Sequence, residues 1–206
     1  YDVNGYIAKQ VEKINNTFFK YTKKNKKSNG EGQKFKIDYT KDGKLDLTFL
    51  RLDISEKQLS DLKWDGQRKI YKYIEEKGFN NPKKTYIVWT NFNATPSNSS
   101  SHGTPNSIIY TPFMKGKNWA DIIMLKTFIQ AQGAAYTCGK GAHKKSAMHT
   151  KGSDVLKKND SSPKIDSKNN TYYRHEIKEC PDLAKSVFLI PTAEDPWIPN
   201  EVFCKK

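Results

Sequence analysis

The sequence predicts an α+β domain with a mixed sheet, and three observations lead there. Apolar residues recur at three- and four-residue steps in three segments, as in helices that bury one face. Short alternating or apolar runs bounded by turn residues lie between them, as in strands. With 206 residues, 35% hydrophobic and 12% aromatic, the chain can bury a core within one domain spanning 1–206.

The elements follow in order. Residues 2–22 set Val3, Ile7, Val11, Ile14 and Phe18 on one face behind a capping candidate, Asp2, which predicts an amphipathic helix. The next segment, 23–33, is polar and lysine-rich and reads as a mobile loop. Residues 34–40 and 44–52 alternate around Lys41-Asp42-Gly43, a hairpin signal. Ser55 and Gln58 fit a capping box that opens a helix running to about Lys77 and closed by Gly78, with Leu59, Leu62, Ile70, Tyr73 and Ile74 on its apolar face. Residues 85–89 form a buried strand, 91–104 a Ser/Asn/Gly/Pro-rich surface loop, and 107–110 a short strand expected at the sheet edge. A helix spans 118–135, with Trp119, Ile122, Ile123, Ile129 and Gly133 toward the core. The basic stretch 139–171 is irregular, anchored only by Asp154-Val155-Leu156 and Ile165. Tyr172-Tyr173, a helical turn at 181–185 and an apolar run at 187–190 follow, and Pro191, Pro196 and Pro199 make 191–206 an extended tail.

The formal charge is +14, which attracts polyanions. Only Arg51, Arg68 and Arg174 are arginines, so the forked donor suited to phosphates and base edges is scarce, and dedicated nucleic-acid recognition is disfavoured. Lysines cluster at 20–36 and 140–158, where solvated loops are the plainer account and a polyanion-binding patch the sharper one. No apolar run is long enough to span a bilayer. The absence of a Met start and of a leader suggests a mature or trimmed segment beginning at Tyr1. Cys138, Cys180 and Cys204 lack C-x-x-C spacing, which leaves one disulfide plus a free thiol in an exported protein, or three buried thiols.

Within 118–135, Lys126 and Gln130 stand one helical turn apart on the face turned to the core. In a zincin metalloprotease that frame reads His-Glu-x-x-His, two imidazoles for zinc and a Glu to activate water. Here it reads Lys126-Thr127-Phe128-Ile129-Gln130. The order of landmarks resembles the small secreted, metzincin-like peptidases related to snapalysin. The strand 107–110 precedes the helix, Gly133-Ala134-Ala135 ends it, and a loop with His149 leads to Ser153-Asp154-Val155-Leu156, where the family has S-D-[LV]-M. Tyr172-Tyr173 and Cys180-Pro181-Asp182-Leu183-Ala184 extend the likeness, which covers roughly 84–190.

The resemblance implies a zincin-like fold, with the mixed sheet packed against an N-terminal helix, a second helix and a degenerate active-site helix. It puts Lys126 and Gln130 at the ligand positions, Thr127 at the general base and His149 at the remaining ligand, and it pairs Cys138 with Cys180. Lysine and glutamine are poor zinc donors, and without the Glu no base is positioned to deprotonate bound water. No metal or cofactor is therefore expected, and the expected protein is a catalytically inactive, secreted or periplasmic domain. Its partner would be a peptide or protein, or a polyanion at the lysine loops. One alternative is an active hydrolase with an unrecognised site. For Lys126 itself, the plainer alternative is a side chain pointing to solvent. His143, His149 and His175 with the cysteines match no ligand spacing, and no G-x-S-x-G elbow accompanies His102.

Overall fold

The computed structural model describes residues 2, 4–92, 99–101, 106–110, 120–143, 149–157 and 162–198, and it is a mixed α+β arrangement. Helix α1 (Tyr6–Lys23) buries Val11, Ile14, Phe18 and Thr22. The Asp2 carboxylate caps it from outside, accepting the Ile7 and Ala8 amides at 2.9 Å each. Strand β1 (Lys34–Phe35) pairs antiparallel with β5 (Leu189–Ile190), tying the first quarter of the chain to the last.

The expected hairpin is confined to its turn. Tyr39 and Leu45 form an isolated bridge, and Gly43, at φ 72, closes the turn by donating to the Thr40 carbonyl. Beyond Asp46, whose amide donates to the Asp38 carbonyl at 3.0 Å, no ladder continues, because Leu50, Leu52 and Ile54 turn instead onto the helices that follow. The capping box at Ser55 and Gln58 is complete. The single helix expected from it is two: α2 (Glu56–Asp61) and α3 (Trp64–Glu76), separated at Lys63, whose φ of 50 breaks the helical path. That break leaves Leu62 40% exposed while Leu59, Ile70 and Ile74 stay buried.

Strand β2 (Tyr86–Thr90) runs parallel to β4 (Asn106–Tyr110), and β3 (Ser99–Ser101) pairs antiparallel on the other side of β4. The segment expected at the sheet edge is thus central, and the edge strand lies inside the stretch read as a loop. Its serine-only sequence carries no apolar alternation to signal a strand. Alternate residues of β2 and β4 face opposite ways: Ile87, Trp89 and Ile109 join the cluster beneath α1, whereas Val88 and Ile108 join the cluster at α2 and α3. Burial on both faces explains the nearly continuous apolar run at 85–89.

Helix α4 (Ala120–Gln130) is not amphipathic as expected. Every residue from Met124 to Gln130 is buried, and Ile122 and Ile123 are half-buried, so the helix lies inside the core rather than on it. Trp119 falls outside the described residues. The 23–33 segment is also more organised than its composition suggests. The Asn25 amide donates to the Ile165 carbonyl (3.0 Å) and its oxygen accepts from Asn169 (2.8 Å). Gln33 reaches the Ala184 and Pro191 carbonyls and receives the Tyr173 hydroxyl at 2.7 Å.

Polar staples do for the irregular C-terminal third what apolar anchors do elsewhere. The buried Asp166 carboxylate accepts the backbone amides of Thr171, Tyr172 and Tyr173 within 3.0 Å, which seats both tyrosines in the core. Asp182 holds the Arg174 and Ala184 amides and opens the short 3₁₀ turn Leu183–Lys185. In the tail, Trp197 is fixed to Lys185 and Val187 through backbone bonds, while 199–206, with Pro199 and Cys204, falls outside the described residues.

Candidate functional site

Helix α4 delivers three polar side chains into the interior: Lys126 (6% exposed), Thr127 (0%) and Gln130 (7%). Their burial overturns the reading of Lys126 as a solvated lysine. Its ammonium donates to the Lys157 carbonyl at 2.6 Å, which links α4 to the 149–157 segment. Thr127 does not serve that ammonium: its hydroxyl donates to the Ile123 carbonyl (2.8 Å) one turn back in its own helix.

The 149–157 segment is folded around Asp154, which is 4% exposed. One carboxylate oxygen, Oδ1, accepts the Thr150 hydroxyl at 2.7 Å and the Leu156 amide at 2.8 Å. Thr150 also bridges Ala142 on one side and Lys157 on the other, and the His143 amide donates to the His149 carbonyl at 2.8 Å. The 139–142 turn, which meets this segment through Ala142 and His143, sits close to Thr171 because Gly139 and Gly141 lack side chains: a Cβ at either would overlap Thr171 itself. Val155 and Leu156 are fully buried, so the Asp154-Val155-Leu156 signal marks a true anchor.

Electrostatics ties Lys126 to Asp154. Burial pushes the Lys126 amine down from 10.5 to about 8, opposed by attraction to Asp154. Burial pushes the Asp154 carboxyl up from 3.8 to about 6, opposed by its hydrogen bonds from Thr150 and Leu156 and by Lys126. Near neutral pH both are charged, each stabilising the other in a poorly solvated place.

The other expected residues divide. Cys138 and Cys180 form a disulfide with a Cα separation of 5.7 Å, tying the turn after α4 to the loop before the 3₁₀ turn. His149 is half-buried and meets this region through its carbonyl. His175 is committed to the Pro181 carbonyl (2.9 Å) and the Ile177 amide (3.2 Å). His102 lies outside the described residues. Among the described residues no three His, Cys, Asp or Glu side chains converge as a metal site. The residues on α4 do not fit zinc: the Lys126 ammonium and the Gln130 carboxamide are poor donors, and neither Thr127 nor Gln130 can act as a carboxylate base.

Comparisons with protein-family models, with curated proteins and with solved structures find no match to this chain.

Asp154 was visible in the sequence only as part of an ordered turn. Nothing local in the sequence marks it as the counter-charge of Lys126, because the two lie in segments that meet only in the fold. Thr150, which orients Asp154, carries no sequence signal at all.

Proposed function

We propose that this chain is a zincin-like domain without peptidase chemistry, which binds a peptide or protein segment in a secreted or periplasmic setting. The observation that carries the reading is the direction of Lys126: from the position of the first ligand, its side chain reaches the segment that the resemblance assigns to the turn after the third ligand. In an active member a metal would bridge those two elements. Here the ammonium and the Lys157 carbonyl do so, and the charge of Asp154 supports the ammonium.

The link holds the scaffold without a dication and leaves no activated water. Two further features support the reading, one for binding and one for the compartment. Among the described residues no strand pairs with the outer side of β3, so that edge offers backbone groups to an extended peptide. The Cys138–Cys180 disulfide fits an oxidising compartment, and among the described residues no helix is long and apolar enough to cross a membrane.

Incubating the protein with a mixture of unstructured peptides tests the reading. Bound peptides should be recovered intact, and they should shift the amide resonances of Ser99–Ser101. Cleaved peptides, or shifts that bypass β3, would count against it.

A further inference from the structure

We infer that the outward face of α1, continued by the 24–36 segment, is a preorganised docking surface for an acidic polysaccharide. The inference is independent of the zincin reading, since it uses none of Lys126, Thr127, Gln130 and Asp154. On α1, Lys9, Lys13 and Lys20 recur on the side opposite Val11, Ile14 and Phe18, and Lys23 and Lys24 extend the row at its end. Lys26, Lys27, Lys34 and Lys36 follow in the next segment, so that residues 9–36 hold nine lysines against Glu12 and Glu31. The row is not flat: Lys9, Lys13, Asn16, Thr17 and Lys20, with Glu12 as the one acid, line a shallow depression along the helix.

Two of the lysines are committed to carboxylates, Lys13 to Asp121 and Lys27 to Glu176. Among the described residues, no carboxylate pairs with Lys9, Lys20, Lys23, Lys24, Lys26 or Lys34. The backbone that carries these lysines is pinned from several directions. Asn25 is locked to Ile165 and Asn169, Ser28 caps the Lys23 carbonyl at 2.7 Å, Gln33 bonds the Thr22 hydroxyl, and Arg174 donates to the Lys27 carbonyl. Fixing the backbone in advance lowers the ordering cost when a polymer binds.

The chemistry favours a polysaccharide over the other polyanions. Stacking platforms for bases are few among the described residues of this row. The Phe19 ring carries the ammonium groups of Lys23 and Lys34 at 6.0 and 5.4 Å and packs where a Cβ on Gly32 would be 2.6 Å away. The half-buried Tyr21 ring carries Lys20 at 5.8 Å, which leaves Tyr6 as the exposed ring of α1. Lysines in place of arginine forks suit dense charge rather than a defined phosphate pattern. A membrane-surface helix needs several large apolar residues on its lipid face; on α1 only Tyr6, at the first turn, is such an exposed residue, and Tyr39, Leu47, Phe49, Leu62 and Ile190 lie outside the helix. The disulfide fits a compartment where acidic polysaccharides are met.

The test measures binding to heparin, a sulfated polysaccharide, across a salt series. The variant K20Q/K23Q/K24Q/K26Q is compared with K41Q/K57Q/K69Q/K83Q, which removes the same charge elsewhere. The first should lose about tenfold or more in affinity with a shallower salt dependence, and the second less than about twofold. Equal losses would reduce the effect to net charge and overturn the inference. So would tighter binding of the wild type to duplex DNA or to phosphatidylserine vesicles at matched ionic strength. Thermal melting checks the fold, and the single variants K24E and K26E carry the comparison if the fourfold change lowers stability.

Discussion

The substitution Asp154→Asn isolates the electrostatic link at α4 with little change of shape. Both hydrogen bonds to Asp154 end on Oδ1, so an asparagine carbonyl can accept the Thr150 hydroxyl and the Leu156 amide as the carboxylate does. What disappears is the charge facing Lys126. In the wild type the Lys126 amine sits at about 8 against an ordinary 10.5, so the folded state penalises the ammonium by about 3 kcal/mol. That penalty is complete below pH 8 and is relieved as pH rises from 8 toward 10.5, where the unfolded chain still binds the proton and the folded one does not. Asp154 works the other way: its cost is complete above pH 6 and is relieved as pH falls from about 6 toward 3.8. Removing the carboxylate removes its own cost but also the attraction that keeps Lys126 protonated, so the amine should titrate below 8 in the variant. Carbon NMR of the lysine Cε resonances measures this directly, and Lys126→Met identifies the signal by its disappearance. A wild-type protein with no lysine titrating below about 10 would refute the reasoning, as would a Lys126 value unmoved in Asp154→Asn.

Other consequences follow from the same packing. Relative to Lys126→Met, the wild type should gain up to about 3 kcal/mol of stability between pH 8 and pH 10.5, read from denaturant midpoints at each pH; a flat difference contradicts the burial of the amine. Replacing Cys138 and Cys180 by alanine opens a loop with a sequence separation of 42 and should cost about 4 kcal/mol in the chain-entropy account, measured by denaturation under oxidising conditions. Gly139→Ala should cost about 2 kcal/mol or more, because the new methyl meets the Thr171 backbone, whereas Ala at exposed Lys140 should be neutral; calorimetry separates the two. The triple variant K126H/T127E/Q130H would set two imidazoles one turn apart facing the 149–157 segment. It should take up zinc in a titration that the wild type ignores.

The helices and strands were legible where period and caps agreed. The α1 face, the Ser55 box and the Cys138–Cys180 pair, implied by the resemblance, all appear in the structure, and the strand read at 85–89 is β2, half-buried over its apolar residues. What escaped was decided by tertiary burial. Helix α4 looked amphipathic from its apolar spacing, with Lys126 and Gln130 on the face turned to the core, yet the core closes over every residue from Met124 to Gln130, Thr127 included. The edge strand Ser99–Ser101 is built from backbone pairing alone. The 23–33 segment is ordered by amides of Asn25 and Gln33 whose partners lie more than a hundred residues away, a distance no local pattern encodes. The polar center at Asp154 was hidden for the same reason.

Metal content of the purified, undialysed protein, with a peptide-cleavage assay on the same sample, tests the central claim most directly. The account predicts no stoichiometric metal and no chelator-sensitive cleavage, with Lys126 holding α4 to the 149–157 segment. Zinc near one per chain together with cleavage abolished by chelation would contradict it.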